Sequence, residues 1–480
     1  MLESAAVTRR GTGFPTTVGM ISLGCAKNLV DSEIMLGHLV EHGAEITTDV
    51  AAAEVVVVNT CGFVEEAKRE SIEAILEVAA RKGEGRLRRL VVAGCMAQRF
   101  ASELHAEIPE IDAFIGLDEL QHAPEAVLGT LVSHLPEQVG AHALYDHTAP
   151  RLLATGGVFA YLKVAEGCDN PCSFCSIPRM RGAFRSRLLA SLVAEAKRLQ
   201  AAGVRELVLI AQDTTRYGED LGMGRTGLRR LLEALLAETS VPWLRVMYAY
   251  PSTLDFGVLR LMASESRLVP YLDLPLQHVS RPVLGAMRRG GSRERYAEQI
   301  GRARETVPDL AVRTTFIVGF PGEGEAEFAE LEAFVEEMRF DALGAFAYSW
   351  QDENPGADLG PGASPRVKRQ RLRALMQRQE RLVREIHRGL RGREVVVLVE
   401  GPAPETELLL QGRLARQAPE VDARVVLTSG EARPGDLVRA RIRRTSAHDL
   451  VADILEVLDP APPRAGLLSS IAATGTGAQG

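Results

Sequence analysis

Short apolar runs alternate with longer amphipathic stretches from Thr17 to about Gly140. The runs Val18 to Leu23, Val55 to Asn59, Leu90 to Ala93 and Ala113 to Ile115 read as buried strands. Between them, Ser32 to His42 and Glu65 to Arg81 carry apolar residues at helical spacing. Strands alternating with helices predict an α/β unit with an open, mostly parallel sheet. A second alternation runs from about Gly157 to Ser349. Its strands are read at Val158 to Val164, Leu207 to Ala211, Leu244 to Met247, Tyr271 to Leu274, Val312 to Val318 and Ala342 to Phe346. A helix-compatible stretch follows each of the first five. Six βα repeats suit an incomplete barrel better than a closed eight-fold one.

The pattern then changes twice. Between Arg366 and Arg393 stand eleven Lys+Arg and two Asp+Glu. Leu372, Leu375, Met376, Leu382, Val383 and Ile386 keep a helical period there, which predicts an amphipathic helix linking two domains. The competing reading of this charge run is a contact to RNA or to an acidic partner. From Glu394 to Leu458 the runs EVVVLVEG, TELLLQGRL, DARVVLTSG, DLVRARIRRT and DLVADILEVL alternate with Gly, Pro and Asp. They predict a small all-β barrel. Residues 1–15 read as a loose arm, and the tail after Pro460 reads as disordered.

Composition narrows the function. The 480 residues allow two to four domains at about 100–200 residues each. Aromatics make up 5%, which disfavours a reader of nucleic acid by base stacking. The net charge of −7 disfavours a dominant polyanion surface. No secretion signal and no apolar run of bilayer-spanning length is visible. The expectation is a cytoplasmic protein without a membrane segment, whose thiols stay reduced.

Six cysteines are too few for a disulfide scaffold, and they fall into two threes. Cys168, Cys172 and Cys175 lie in AEGCDNPCSFCSIPRMRG, directly after the first strand of the second alternation. A structural zinc site asks for four ligands, and this loop offers three. Three thiolates on an iron–sulfur cluster leave one position open for a substrate or cofactor. A zinc loop completed by a distant His is the alternative. Cys25, Cys61 and Cys95 are far apart, yet each follows the C-terminal end of a predicted strand, in MISLGC, VVVVNTC and LVVAGC. In an open parallel sheet those ends share one edge, where ligands bind. They are read as a shared metal site, against the alternative of three small buried hydrophobes. Gly24, Gly62 and Gly94 beside them allow close backbone approach.

The loop Cys168 to Cys175, with Phe174 just before the last cysteine, resembles the signature of the radical S-adenosylmethionine (SAM) superfamily. The N-terminal cysteines and the C-terminal barrel narrow this resemblance to the methylthiotransferases, over roughly residues 17 to 459. Between the flexible arm (1–15) and the disordered tail (460–480) read from composition, it implies an open parallel-sheet methylthiotransferase domain (16–135), a partial (βα)6 radical SAM core (154–386) and a small all-β TRAM barrel (389–459). It also implies two [4Fe–4S] clusters, one per cysteine triad, and S-adenosyl-L-methionine chelated to the open iron of the second. Reductive cleavage of that cofactor would yield a radical able to attack an unactivated C–H bond. The first cluster would present sulfur, and a separate cofactor molecule would give the methyl group. By position, Gln212 and Asp213 in LVLIAQDTTRYG would hold the methionine part. Gly319 and Gly322 in TTFIVGFPGE would line the adenine and ribose, and Phe174 would lie beside the cofactor. Glu323 is read as a helix cap. Gln277 and His278 in LDLPLQH would point toward the barrel mouth. For each polar residue a local cap or turn contact is the alternative.

Within the family, SLGCAKNLVDSE, EGCDNPCSFCSIPRMRG, LPLQHVSRPVLGAMRRG and RTTFIVGFPGE resemble one branch most. That branch methylthiolates an aspartate β-carbon on a small-subunit ribosomal protein of the decoding centre. The rival performs the same chemistry on tRNA adenosine, as in MiaB-type enzymes. The C-terminal barrel has no Lys and more Asp and Glu than Arg, which suits a basic protein substrate better than RNA. The basic helix is the counter-indication. A non-catalytic iron–sulfur electron carrier is a third reading, and it leaves Gln212 and Asp213 without a use. A reductant such as flavodoxin or ferredoxin is the further partner implied.

Overall fold

The computed structural model describes residues 17–131 and 144–462. The predicted arm, and the tail from residue 463 on, lie outside them. The described residues form two units, one of 17–131 with 149–154 and one of 144–148 with 155–462.

The first unit is a parallel sheet of β1 (Val18–Ser22), β2 (Ile46–Thr47), β3 (Val55–Thr60), β4 (Arg89–Ala93) and β5 (Ala113–Ile115), in the order β2-β1-β3-β4-β5. Helices α1 (Ala26–Glu41), α2 (Glu65–Ala80), α3 (Gly94–Glu107) and α4 (Ala123–Leu128) connect the strands or follow the last of them. Every residue of β3 is buried, as expected of a central parallel strand with both faces covered. The first helix begins six residues before the predicted Ser32. Its N-cap is Cys25, in extended conformation and with no side-chain cap bond, so the usual Ser/Thr/Asp start signal is missing. The two-residue β2 is too short to leave an alternating pattern.

In the second unit the six expected strands form, each within about a residue of its predicted start. They are β6 (Phe159–Lys163), β9 (Glu206–Ile210), β10 (Trp243–Val246), β11 (Tyr271–Asp273), β12 (Ala311–Val318) and β13 (Ala342–Ala347). All pair in parallel, as two three-stranded sheets ordered β10-β9-β6 and β11-β12-β13. Ala249 N donates to Asp273 O across the join at 2.9 Å. A two-rung antiparallel clasp, β7 (Ala165–Glu166) with β8 (Arg185–Ser186), follows β6 and closes the base of the second cysteine loop. The helices are α5 (Ile177–Arg181), α6 (Leu189–Ala201), α7 (Gly227–Glu238), α8 (Phe256–Ser264), α9 (Arg281–Ala286), α10 (Arg293–Thr306), α11 (Glu325–Met338) and α12 (Pro365–Arg388).

Helix α12 is the predicted basic helix. Ser364 caps it, its side chain accepting from Val367 N, and Pro365 opens it. Its buried stripe is not purely apolar: Arg371 and Gln379 are buried beside Leu375 and Leu382. Gln379 Nε2 donates to Phe340 O at 2.8 Å, which satisfies the nitrogen side of the buried amide.

The chain then enters a closed barrel of β14 (Glu394–Ala403), β15 (Thr406–Leu414), β16 (Arg424–Ser429), β17 (Leu437–Thr445) and β18 (Asp449–Asp459), in the order β14-β15-β16-β18-β17. Val397, Val399, Leu414, Val425, Val438 and Ile442 fill it. The end of β15 and the segment leading to β16 meet β6, β9, β10 and β11 through buried polar pairs. Arg245 Nε and Arg413 Nη2 donate to the two oxygens of Glu206, at 2.6 and 2.5 Å. Tyr161 donates to Glu420 at 2.7 Å and Tyr271 to Asp422 at 2.6 Å. Burial pushes the Glu206 carboxyl up, but Arg245 and Arg413 outweigh it and hold the group below the usual carboxylate range.

Candidate metal centres

In the first unit the sheet register sets Ser22, Asn59 and Ala93 side by side. The residues just beyond them bring Cys25, Cys61 and Cys95 to the same edge. Cys25 is exposed, and Cys61 and Cys95 are buried. Two of the three sit at helix N-termini, Cys25 as the cap of α1 and Cys95 in the first turn of α3. Gly24 has φ +94°, and a Cβ on it would lie 2.8 Å from Cys61 Cβ, so only glycine lets these two loops approach. Gly94 has φ +89°, and a Cβ there would come 2.1 Å from Asn59 Oδ1.

Asn28 ties the three strand ends together, although the motif SLGCAKN does not single it out. Its Nδ2 donates to Leu23 O and Thr60 O, at 3.0 and 2.8 Å, and its Oδ1 accepts from Cys95 Sγ at 3.5 Å. Asn59 Nδ2 in turn donates to Asn28 O at 2.8 Å, while the buried Asn59 Oδ1 has no hydrogen-bond partner among the described residues. Ser71 Oγ bonds both Cys61 N and Cys61 O, each at 3.0 Å.

In the second unit the loop from Gly167 to Phe184 hangs from the β7–β8 clasp. A Cβ on Gly167 would meet Ala183 O at 2.1 Å, so the two ends of the loop close on a glycine with φ +80°. Asn170 donates to Cys168 Sγ from its backbone N and its Nδ2, at 3.5 and 3.4 Å. Ile177 N donates to Cys175 Sγ at 3.5 Å. Burial raises the Cys168 thiol and pushes Cys175 up to about 12, so iron must displace protons from these sulfurs. Among the described residues no three His, Cys, Asp or Glu side chains close on a single ion. A cubane asks instead for thiolates on separate irons, and both all-thiol donor sets suit that chemistry.

The other predicted residues divide into those aimed at the loop and those committed elsewhere. Gln212 Nε2 donates to Glu166 Oε1 at 2.6 Å, while its buried Oε1 has no partner among the described residues. Burial would raise the Glu166 carboxyl, but Arg181 and Lys163, at 2.9 and 2.7 Å, hold it well below the usual range. Asp213 accepts from Asn170 Nδ2 at 2.8 Å and from Thr215 Oγ1 at 2.5 Å, so both oxygens are engaged behind the loop. Phe174 is partly buried against Val283, Met287, Ile317, Phe320 and Tyr348. Gly322 has φ +87°, and a Cβ there would meet nothing within 4 Å. Gly319 instead makes its close approach to α12, where a Cβ would lie 2.4 Å from Lys368 Cγ.

Glu323 does not cap α11. That role belongs to Glu327, which accepts from Gly324 N at 2.9 Å. Glu323 accepts from Gly319 N at 2.9 Å and from Arg371 Nη1 at 2.8 Å, and lies 3.5 Å from His278 Nε2. His278 is fully buried and accepts from Ser280 N at 3.0 Å through Nδ1, so it serves the turn rather than the mouth. Gln277 is half-buried with φ +71°, and its backbone pairs with β12. Two residues not singled out as site residues also face a cysteine: Arg289 Nη1 donates to Cys172 Sγ at 3.5 Å, and Tyr250 Oη lies 4.0 Å from it.

Three family profiles match the chain: the uncharacterized protein family UPF0004 over residues 17–116, the Radical SAM superfamily over 162–335 and the TRAM domain over 392–455. The chain is similar to the ribosomal protein uS12 methylthiotransferase RimO of Geobacter sulfurreducens. The two are 46% identical over 442 residues, spanning 91% of this chain and 98% of that relative. The protein of the same name from Solibacter usitatus is 47% identical over 451 residues, spanning 93% and 96% of the two chains. Among solved structures, the radical S-adenosylmethionine methyltransferase TsrM from Kitasatospora setae, with cobalamin and a [4Fe-4S] cluster bound, shares the fold. Its TM-score is 0.52 at 15% identity, over 72% of this chain and 77% of that one.

Proposed function

The chain belongs to the RimO family of ribosomal protein uS12 methylthiotransferases, and we propose from that premise how its residues divide the work. Cys168, Cys172 and Cys175 hold one [4Fe–4S] cluster, and Cys25, Cys61 and Cys95 hold the other. When bound, the clusters and S-adenosylmethionine supply C–H activation, sulfur and the methyl group. Gln212 offers its unpartnered amide oxygen to the ammonium of the methionine part, its orientation fixed by Glu166. Asp213 acts through Asn170, which it aims at Cys168, and so positions the loop. Phe174 packs the far side of the loop. Gly322 leaves open space at the turn after β12, where a nucleoside edge fits, whereas Gly319 admits Lys368.

The target is the β-carbon of an aspartate in uS12. The observation that carries this reading is the identity to RimO proteins over nearly the whole chain. Mass spectrometry of uS12 and of tRNA from a deletion strain tests it. Loss of the methylthio group from uS12 is expected. Loss from tRNA with uS12 unchanged would overturn it. The reductant is a one-electron carrier such as flavodoxin or ferredoxin, and the enzyme works in the cytoplasm beside its ribosomal substrate. No helix among the described residues is long and apolar enough to cross a membrane.

Helix α12 adds an RNA contact. Several of its basic residues are taken: Arg371 by Glu323 and Glu325, Arg378 by Glu332 and Glu336, Arg381 by Glu336 and Arg384 by Glu380. Arg366, Arg369 and Arg373 have no ion pair among the described residues and line one open concavity of about 390 Å³. Three arginines at helical spacing suit a run of phosphates. Replacing all three by alanine is expected to lower the log–log salt slope for binding small ribosomal subunits by about two to three. An unchanged slope removes the contact.

A further inference from the structure

Seven arginines are buried among the described residues: Arg181, Arg187, Arg205, Arg245, Arg289, Arg371 and Arg413. Six of them have a carboxylate partner, in Glu166, Glu195, Asp459, Glu206, Glu323 and Glu206 respectively. Arg289 has no ion pair with a carboxylate among the described residues, though it is only 8% exposed. It follows α9 and lies 117 residues from the sulfur it faces. Nη1 donates to Cys172 Sγ at 3.5 Å and Nη2 to Pro275 O at 2.7 Å. Its guanidinium stacks on the Tyr250 ring, 4.2 Å from the centroid, and Tyr250 Oη lies 4.0 Å from the same sulfur. A guanidinium cannot shed its charge, and a buried charge needs an opposite one. Among the described residues, the anion that this geometry offers is the sulfur of Cys172 in its iron-bound, thiolate form.

We infer that Arg289 is the counter-charge of the cluster held by Cys168, Cys172 and Cys175, and that it raises the reduction potential of that cluster. The inference rests on the ligand assignment proposed above. Reduction adds one electron to the cluster, so a fixed cation beside a ligand sulfur stabilises the reduced form more than the oxidised one. The N–H···S bond acts in the same direction. Tyr250 is a positioning residue, holding the guanidinium flat against its ring.

The test is a dithionite titration of the anaerobically reconstituted full-length protein, followed by electron paramagnetic resonance. It compares wild type, Arg289→Gln and Arg289→Lys, each also in a Cys61→Ala background to isolate the second cluster. Arg289→Gln is expected to keep its iron and to shift to a more negative potential. At a fixed applied potential its reduced-to-oxidised ratio should fall about tenfold, which is about 59 mV for a one-electron couple. Arg289→Lys keeps the charge but retracts it, and should lie between the two. Full iron with an unmoved potential in Arg289→Gln overturns the inference. Should Arg289→Gln fail to load, Arg289→Lys decides: a potential below wild type supports the inference and an equal one overturns it. Failure of the ligand assignment looks different, because the iron content would then be untouched by Cys172→Ala.

Discussion

Protein carrying Cys172→Ala is expected to cleave S-adenosylmethionine only at the uncatalysed background under dithionite and to keep about four of about eight irons. Protein carrying Cys61→Ala is also expected to keep about four irons, yet to release 5′-deoxyadenosine at close to the wild-type rate and to leave uS12 unthiolated. The opposite outcomes follow from construction. Each triad, with the backbone and amide groups that hold it, lies within a single folded unit. Asn28, Asn59 and Ser71 serve one site, and Asn170, Asp213 and Arg289 serve the other. Removing one ligand therefore has no direct route to the other set. Chromatography of the cleavage products and a colorimetric iron assay read both results. Full thiolation of uS12 by Cys61→Ala would refute the two-site assignment.

The second large effect is on stability. Glu206→Ala is expected to destabilise the second unit by about 3–5 kcal/mol, because it strips the carboxylate from two buried guanidiniums at once. Arg245 and Arg413 are both essentially buried, and Arg413 would be left with Glu400 alone. Glu206→Gln should cost less, since the amide oxygen still accepts one of the two bonds. Urea unfolding followed by the fluorescence of buried Trp243, on the neighbouring strand, measures the change. A shift under about 0.5 kcal/mol would show that the pairs contribute nothing net, as some buried ion pairs do not.

The strands and the places of the cysteines beside them were legible because each leaves a local mark. Parallel strands buried on both faces are continuous apolar runs, and the cysteines stand immediately past their ends. What stayed hidden depends on distant partners. Glu323 looks like a cap when only its neighbours are read, but its partners are Gly319 N, His278 and an arginine 48 residues away. Gly319 follows the pattern of a nucleoside-binding turn, yet the space it provides is used by Lys368. Asp213 stands one position from Gln212, and a strand end turns such neighbours to different faces, one toward Glu166 and one behind the loop. Helix α1 began early because a cysteine, which no propensity rule favours, occupies its cap. Arg289 could not be found from spacing, since nothing in MRRG separates it from its neighbour.

The distance in sequence between a cysteine and its setting also orders events during synthesis. The N-terminal triad and its sheet are complete within the first 115 positions, so a ribosome can release a finished site early. The second triad emerges as eight contiguous residues, but Tyr250 is made 78 residues after Cys172 and Arg289 is made 117 after it. At 5–20 residues per second, as a rough bacterial-to-eukaryotic range, that interval lasts several seconds to tens of seconds. Throughout it the three thiols are borne by a chain that has not yet built the walls that shelter them. The nascent polypeptide is thus most open to oxidants at the very loop on which its chemistry depends.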